Sequence, residues 1–327
     1  MTLAHGSPVP LDPRELVESL PRVVFVLGKG GVGRSTVATA LGTALARRGE
    51  QVLVFEWALS EAIAPWFELA PAGIDPCVVG HGLSVANFGL DDALRAYFVG
   101  HLGMGAFYRH IIHGRAVRRL VEAAPGIAEM MFLGHVCWLT TLAEKELGLR
   151  FDHVIVDTPA AGHGVALLEL PATLAAMHAS GLLGSEMARV EEMMGDPSWT
   201  GALAVSLPEE LAVEETLELV PRATKSLGRP LLAAVINRSV ARLIKDTTRP
   251  LWIEALRGHM SPALVSGLEG VQADLAGRLG FERQLRQALQ GTSQRGVFSF
   301  DEQLAVGVQG SPRAIVDALA SYLTGAA

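Results

Sequence analysis

A glycine-rich turn between an apolar run and a helical pattern constrains the fold of this chain most. Residues 23–27 are apolar and largely β-branched, as in a buried strand, and residues 37–48 have a helical pattern. Glycines let successive backbone N–H groups point at one anion, and the following helix N-terminus adds a positive dipole end. The order strand, glycine loop, helix therefore predicts a phosphate-binding loop. Its residues are Gly28, Lys29, Gly30, Gly31, Val32, Gly33, Arg34, Ser35 and Thr36.

The loop also fits the spaced frame Gly-x-x-x-x-Gly-basic-Ser/Thr, through Gly28, Gly33, Arg34 and Ser35. Ser35 stands where the hydroxyl of such a loop ligates Mg²⁺. The basic residue is arginine, although lysine is usual there. A guanidinium is bulkier and planar, so it can hold phosphates while misplacing the point charge that follows the transferred group.

Alternating strand and helix patterns predict an α/β fold, a P-loop NTPase with a mostly parallel, doubly wound sheet and an inserted helical subdomain. We expect an N-terminal tail and short helix over residues 1–20 and one domain over 21–327, with the helical insertion at about 91–148. Further strands are expected at 51–56, 83–88, 151–157, 202–207, 231–237 and 296–300. Helices are expected at 14–20, 91–98, 125–147, 208–226 and 312–323.

Composition excludes several classes of function. The net charge of -7 argues against nucleic acid as a partner. The two cysteines, Cys77 and Cys137, are far apart and indicate neither a disulfide framework nor a zinc site. Apolar runs are too short to span a membrane, and the N-terminal segment lacks the order of a signal peptide. We therefore expect a cytoplasmic protein that is not an integral membrane protein.

Polar residues that follow the predicted strands should meet at one edge of the sheet, where ligands bind in such folds. Asp157 suits a Mg²⁺-side carboxylate, and Gly162 suits an amide near a terminal phosphate. Helix capping is the alternative role for Asp157. For His163, a packed histidine and a role in signalling nucleotide state are equally plausible. Glu56 and Asn237 end two further strands at this edge.

Several motifs together resemble the ArsA / tail-anchored-protein-targeting (GET) family of ATPases, whose phosphate loop deviates from the common form. The chain is identified as a bacterial member because the matches cover most of its length and follow the family's order. The matching segments are the phosphate loop, a Pro-Gly-Ile segment at 125–129, a second switch at 157–163 with 167–171, a Pro-Glu element at 207–216, Asn237 and, more weakly, 297–301.

The resemblance implies an ATPase that uses ATP or ADP and Mg²⁺. Lys29, Arg34 and Asp157 would be the catalytic residues, and Lys29 would reach across a dimer interface to the partner's nucleotide. Ser35 and, through water, Asp157 would hold Mg²⁺. The nucleotide would contact Gly28, Gly30, Gly31, Val32, Gly33, Arg34, Ser35, Thr36, Gly162, Asn237 and Arg238. Asn237 would recognise adenine, and residues 297–301 would form a loop that flanks the base.

One departure from the family concerns the residue that orients the attacking water. The family has Ser-Thr-Asp-Pro-Ala-His-Ser after the second strand, and this chain has Ala58 at the position of that aspartate. Glu56 or Glu61 could substitute only with a shifted backbone. Loss of such a group commonly lowers the rate ~10²–10⁴-fold. The family's metalloid-binding cysteines and its Cys-x-x-Cys pair are also absent, so arsenite transport and a zinc-stapled dimer are not supported.

Three interpretations stay open. The first is a dimeric ATPase whose nucleotide state controls an apolar surface for a hydrophobic client or membrane-protein partner, with hydrolysis impaired by Arg34 and Ala58. The second is a non-hydrolysing subunit paired with an active ArsA-like paralogue, and the third is a small-molecule kinase, in which Lys29 would have no role. Methionines could line a client groove, although core packing is more common. They are Met104, Met130, Met131, Met187, Met193 and Met194.

Overall fold

A single eight-stranded sheet organises the molecule. The structure is a computed structural model of the chain, and it describes residues 12–18, 20–58, 61–89, 126–159, 161–175, 181–241, 259–302 and 311–325. Within these ranges strands and helices alternate as an α/β fold, and the sheet is mostly parallel. The predicted fold class is confirmed.

The strands are apolar runs because most of the sheet is covered on both faces. Every residue of β1 is buried, and its side chains alternate between two hydrophobic clusters, one on each face. The strands are β1 (Val23–Gly28), β2 (Val52–Glu56), β3 (Cys77–Gly80), β4 (Leu83–Asn87), β5 (His153–Asp157), β6 (Thr200–Ser206), β7 (Ala233–Ser239) and β8 (Val297–Asp301).

The strand order is β3-β4-β2-β5-β1-β6-β7-β8, which puts β1 between β5 and β6. All pairings are parallel except that of β3 with β4. The carboxyl ends of the parallel strands therefore meet at one edge of the sheet. The pairing of β2 with β5 sets Glu56 opposite Asp157 at this edge. Strand β3 was not predicted, because its four residues lie in a Pro- and Gly-punctuated stretch without a buried apolar run.

Helices cover both faces of the sheet. One face packs against α4, α6, α7, α8 and α9, and the other against α1, α2, α3 and α10. They are α1 (Arg14–Val17), α2 (Arg34–Arg47), α3 (Ile63–Trp66), α4 (Ile127–Thr141), α5 (Ala143–Leu147), α6 (Ala161–Ala175), α7 (Gly181–Gly195), α8 (Glu210–Leu227), α9 (Pro262–Leu289) and α10 (Pro312–Thr324).

The boundaries of several elements differ from the prediction. Helix α1 ends at Val17 rather than at residue 20, and α2 begins at Arg34, three residues before its apolar pattern starts. Residues 297–301 form the strand β8, as predicted for 296–300, and pair with β7, so they are not the loop that the resemblance implies. The predicted helix at 91–98 and most of the expected helical insertion lie outside the described residues.

The methionines are distributed as core packing predicts. Met187, Met193 and Met194 are buried, and Met193 and Met194 belong to the hydrophobic cluster on the face of the sheet that α7 covers. Met130 and Met131 are partly buried against the same cluster, and Met104 lies outside the described residues. A client groove lined by the three later methionines is therefore wrong. In the part of the chain that the structure describes, no helix is long and apolar enough to cross a membrane.

Candidate functional site

The phosphate-loop candidate follows β1 and leads directly into α2, at the carboxyl edge of the sheet. Gly31 and Gly33 have φ values of 86° and 89°, which L side chains rarely adopt. A Cβ atom on Gly31 would meet nothing within 4 Å, so the loop is open on that side. A Cβ atom on Gly33 would lie 2.3 Å from Nδ2 of Asn237. Glycine at position 33 therefore permits close contact between the loop and β7.

Ser35 and Asp157 connect the start of α2 to the end of β5. The Ser35 hydroxyl donates a hydrogen bond to Oδ2 of Asp157 over 2.5 Å. Asp157 is buried, and its Oδ1 has no hydrogen-bond partner among the described residues. Burial raises the pKa of this carboxyl, and the Ser35 bond and the Arg34 charge oppose that shift. A hydroxyl and a buried carboxylate oxygen at this place are oxygen ligands of the kind that Mg²⁺ prefers, directly or through water.

Arg34 binds protein carbonyl groups. Its Nη1 donates to the backbone oxygens of Thr158 and of Pro159, over 2.5 Å in each case. The Thr158 hydroxyl in turn donates to the backbone oxygen of Val26 over 2.7 Å. Burial lowers the pKa of Arg34, and Asp157 opposes that shift. The turn after β5 is thus tied to the loop and to β1. The predicted phosphate contact of Arg34 would compete with these bonds.

Lys29 has a partner within its own chain. Its Nζ lies 3.2 Å from Oε1 of Glu215, which belongs to α8, and both side chains are partly exposed. Glu215 is in the Pro-Glu element, which Thr216 joins to β6 by a 2.9 Å hydrogen bond to Ser206. This ion pair was not predicted, because the resemblance implies that Lys29 reaches across a dimer interface.

Asn237 and Arg238 stand at the end of β7, on the opposite side of the loop from Asp157. The amide Nδ2 of Asn237 donates to the Val32 backbone oxygen over 2.9 Å. Arg238 has a φ of 53°. Its guanidinium pairs with Glu302 over 2.8 Å, and Arg278 contacts the same carboxylate and the Arg238 backbone oxygen, each over 2.9 Å. These contacts hold the end of β7 beside the loop.

The position at which the resemblance implies a water-orienting aspartate, in the segment after β2, is Ala58, which has no carboxylate. Ala58 donates its N–H to Oδ1 of Asn87 over 3.0 Å and accepts from Nδ2 of Asn87 over 3.1 Å. Trp57 stacks on Phe132 at 4.9 Å. The backbone N–H of Trp57 donates to the Asp157 backbone oxygen over 3.2 Å. The backbone is therefore held at Ala58 and at the residue before it.

Both glutamates of this segment already accept hydrogen bonds from backbone N–H groups. Glu56 is buried and accepts from Ala62 over 3.2 Å and from Ile63 over 3.4 Å, at the start of α3. Burial, together with the Asp157 charge, raises the pKa of Glu56 to about 7. Glu61 accepts from Ala72 over 2.7 Å. Each carboxylate would have to give up these bonds before it could orient water.

The structure thus brings the predicted residues of the loop, Asp157 and Asn237 together at one edge of the sheet. Gly162 and His163 lie in the first turn of α6, directly after this turn, and the question about His163 stays open. Thr158, Glu215 and Asn87 also contact the site and were missed. Glu215 and Thr158 lie in the motifs at 207–216 and 157–163, whereas the only sequence signal for Asn87 is a polar residue near the end of a predicted strand.

Comparisons with known proteins give a consistent result. Residues 21–180 match the family described as "Anion-transporting ATPase". The chain is 27% identical to the ATPase BagA of Mycobacterium tuberculosis over 273 residues, 79% of this chain and 78% of that protein. It is 25% identical to the arsenical pump-driving ATPase of Escherichia coli over 278 residues, 84% of this chain and 42% of that protein. It is also 25% identical to ATPase ARSA2 of Chlamydomonas reinhardtii, over 69% of this chain and 60% of that protein.

The raised pKa of Glu56 predicts how Glu56→Gln will change the pH dependence of stability. The pKa is about 7 in the folded chain and 4.5 without burial, so the folded chain holds a proton that the unfolded chain loses. The contribution of Glu56 to the free energy of unfolding is therefore fully present below pH 4.5. It falls as the pH rises to about 7, by at most about 3 kcal/mol. Urea unfolding at about pH 5 and about pH 7.5 should show wild type losing more stability than Glu56→Gln.

The exposed Glu214 supplies the matched control. Glu214→Gln should follow the wild-type pH dependence. A Glu56→Gln variant with that same dependence would contradict the buried, protonated carboxyl.

Proposed function

We propose that this chain, whose residues 21–180 match the family of anion-transporting ATPases, is a member of that family and binds Mg²⁺-ATP or Mg²⁺-ADP at the carboxyl edge of its sheet. The observation that carries the proposal is the pair Ser35 and Asp157. Its two side chains are 2.5 Å apart at the end of an open glycine loop, and Oδ1 of Asp157 is buried without a partner among the described residues. That oxygen costs free energy unless a ligand uses it, and a metal-bound water is such a ligand.

Each part of the edge has a role in this proposal. The N–H groups of the loop from Gly30 to Thr36, together with the start of α2, receive the phosphates. Ser35 and, through water, Asp157 hold Mg²⁺, which offsets charge on the phosphate oxygens when it is bound. Gly162 in the first turn of α6 provides a backbone amide beside them.

The base is assigned to the other side of the loop. Asn237 uses one amide hydrogen for the Val32 oxygen and keeps a second, since a carboxamide carries two. This bond holds the Asn237 amide against Val32 of the loop. We assign adenine to Asn237 and the flanking position to Arg238, which Glu302 and Arg278 fix in place.

Hydrolysis in this site is impaired in our proposal. Ala58 has no side-chain oxygen or nitrogen, and Glu56 and Glu61 are bound to backbone N–H groups. Loss of a water-positioning group commonly costs ~10²–10⁴-fold in rate. The same observation favours a second candidate function, a nucleotide-binding subunit that does not hydrolyse and pairs with an active ArsA-like paralogue. Both candidates share the nucleotide site and differ in turnover.

Assembly is the remaining part of the proposal. In the dimer that the family resemblance implies, Lys29 would contact the partner's nucleotide, and it must first leave Glu215. An exposed or partly exposed ion pair of this kind is worth ~0.2–1 kcal/mol, so exchange of partners is feasible. A hydrophobic client or membrane-protein partner and a cytoplasmic location complete the proposal as expectations from the sequence.

Nucleotide binding is tested by isothermal titration of Mg²⁺-ADP. Ser35→Ala should weaken binding about 10–100-fold, because a hydrogen bond to a charged group contributes roughly 1.5–3 kcal/mol. Gly33→Val should abolish binding, because its Cβ would displace Asn237. Ser226→Ala removes an exposed hydroxyl on α8 and is the control that should change nothing. Unchanged affinity in both loop variants would overturn the assignment of the site.

Slow turnover is tested by single-turnover hydrolysis at saturating Mg²⁺-ATP. The wild-type rate should be low, and Ala58→Asp should raise it, because a carboxylate is then available to orient water. Ala58→Asn is the matched control, since it adds an acceptor without the charge. A wild-type rate that is already high would show that Glu56, Glu61 or a partner subunit supplies the missing group.

The exchange of Lys29 between partners is tested by sedimentation velocity with and without Mg²⁺-ATP. Lys29→Ala should reduce nucleotide-dependent dimer formation, and Glu215→Gln should increase it about 2–5-fold, because the ion pair in the free chain is lost. Glu214→Gln makes the same charge change one residue away and should have no effect. If Lys29→Ala leaves dimerisation untouched, alone and with any co-encoded paralogue, the role across the interface is wrong.

A further inference from the structure

We propose that Arg34 is a positioning residue: it holds the turn of Thr158 and Pro159 against the phosphate loop and so sets where Asp157 stands for Mg²⁺. The clamp itself is independent of any ligand. Its effect on Mg²⁺ rests on the proposed function. This role differs from the phosphate contact that the loop frame predicts for the basic residue.

The clamp consists of two short hydrogen bonds from one nitrogen to backbone oxygens, with the Thr158 hydroxyl oxygen farther away at 3.4 Å. Nη1 of Arg34 lies 2.5 Å from the Thr158 oxygen and 2.5 Å from the Pro159 oxygen. The side-chain stem crosses the loop, since a Cβ atom on Gly28 would lie 3.3 Å from Cγ of Arg34. The Arg34 side chain thus extends from the first residue of α2 to the turn after β5.

The turn has few other means of satisfying its backbone. Pro159 has no N–H group, and the Thr158 hydroxyl is used for the Val26 oxygen. Thr158 is buried, so a carbonyl left without a donor there would cost ~1–3 kcal/mol. A guanidinium offers five N–H donors in a planar fork, whereas a lysine ammonium is a compact point charge on a flexible stem. Arginine is therefore the better residue for joining two neighbouring carbonyls.

The clamp lies next to the proposed metal position. Ser35 binds the side chain of Asp157, and Arg34 binds the two residues that follow it. These neighbouring residues thereby fix both the carboxylate and the backbone that leads away from it. The guanidinium charge also favours the ionised form of Asp157, against the effect of burial. Without Arg34 the Ser35 bond would remain, but the turn and the first residues of α6 could move.

The first test is hydrogen exchange of the full chain without nucleotide. Arg34→Lys should make amides of residues 157–168 exchange about 10-fold faster, because hydrogen bonds worth roughly 1.5 kcal/mol are lost locally. Arg48→Lys makes the same change at the other end of α2, where the guanidinium contacts Glu50 at 3.7 Å, and should leave these amides unchanged. Unchanged exchange in Arg34→Lys would overturn the clamp.

The second test separates positioning from phosphate contact. ADP affinity is measured by titration in excess EDTA and in excess Mg²⁺. If Arg34 is a positioning residue, Arg34→Lys should change the ADP affinity in EDTA by less than about 3-fold. It should reduce the increase in ADP affinity that Mg²⁺ provides by about 10-fold. An equal loss under both conditions would show that Arg34 contacts phosphate and would overturn the proposal. If wild type binds no nucleotide, the proposed function fails, while the exchange result still decides on the clamp.

Discussion

The contact between Ser35 and Asp157 is the interaction on which the rest of the site depends. It joins the start of α2 to the end of β5, and these elements flank the central strand β1. The carboxyl ends of parallel strands lie at the same edge of a sheet. This arrangement alone does not bring a helix terminus within hydrogen-bond distance of a carboxylate on a neighbouring strand. The short glycine loop achieves this, because it turns the chain directly from β1 into α2. The Arg34 guanidinium and the two backbone carbonyls that it binds lie next to this contact.

Much of the fold could be predicted because buried parallel strands are apolar runs of a recognisable length. The strands from β1 to β7 that have this character were located, and so were their carboxyl-end residues Asp157 and Asn237. Strand β3 was not, since its pairing is antiparallel, lies at an edge and involves half-exposed residues. The end of α1 was also wrong, because short elements depend on tertiary packing more than on their own sequence. Residues 297–301 form a strand, as the pattern at 296–300 predicts, and not the loop that the resemblance implies.

The site was less predictable than the fold for a physical reason. Motif spacing indicates which residues come close, but it does not say which partner a long charged side chain selects. Lys29 forms an ion pair with Glu215, and Arg34 donates to two backbone carbonyls in a turn more than a hundred residues later. Glu56 likewise accepts from the start of α3, because a buried carboxylate needs donors and the nearest ones are backbone N–H groups. The partner of each of these side chains depends on how distant segments pack, which a single sequence does not show.

The contact between Gly33 and Asn237 has a consequence for how this chain can change over generations. The amide nitrogen of Asn237 occupies the space that any side chain at position 33 would need. A side chain at position 33 would displace Asn237 and would also have to take up a φ of 89°, which L side chains rarely adopt. A smaller residue at position 237 would remove the clash, but it would give up the bond to Val32 and leave the strained φ. The loop and the distant strand must therefore be inherited, or redesigned, as a pair.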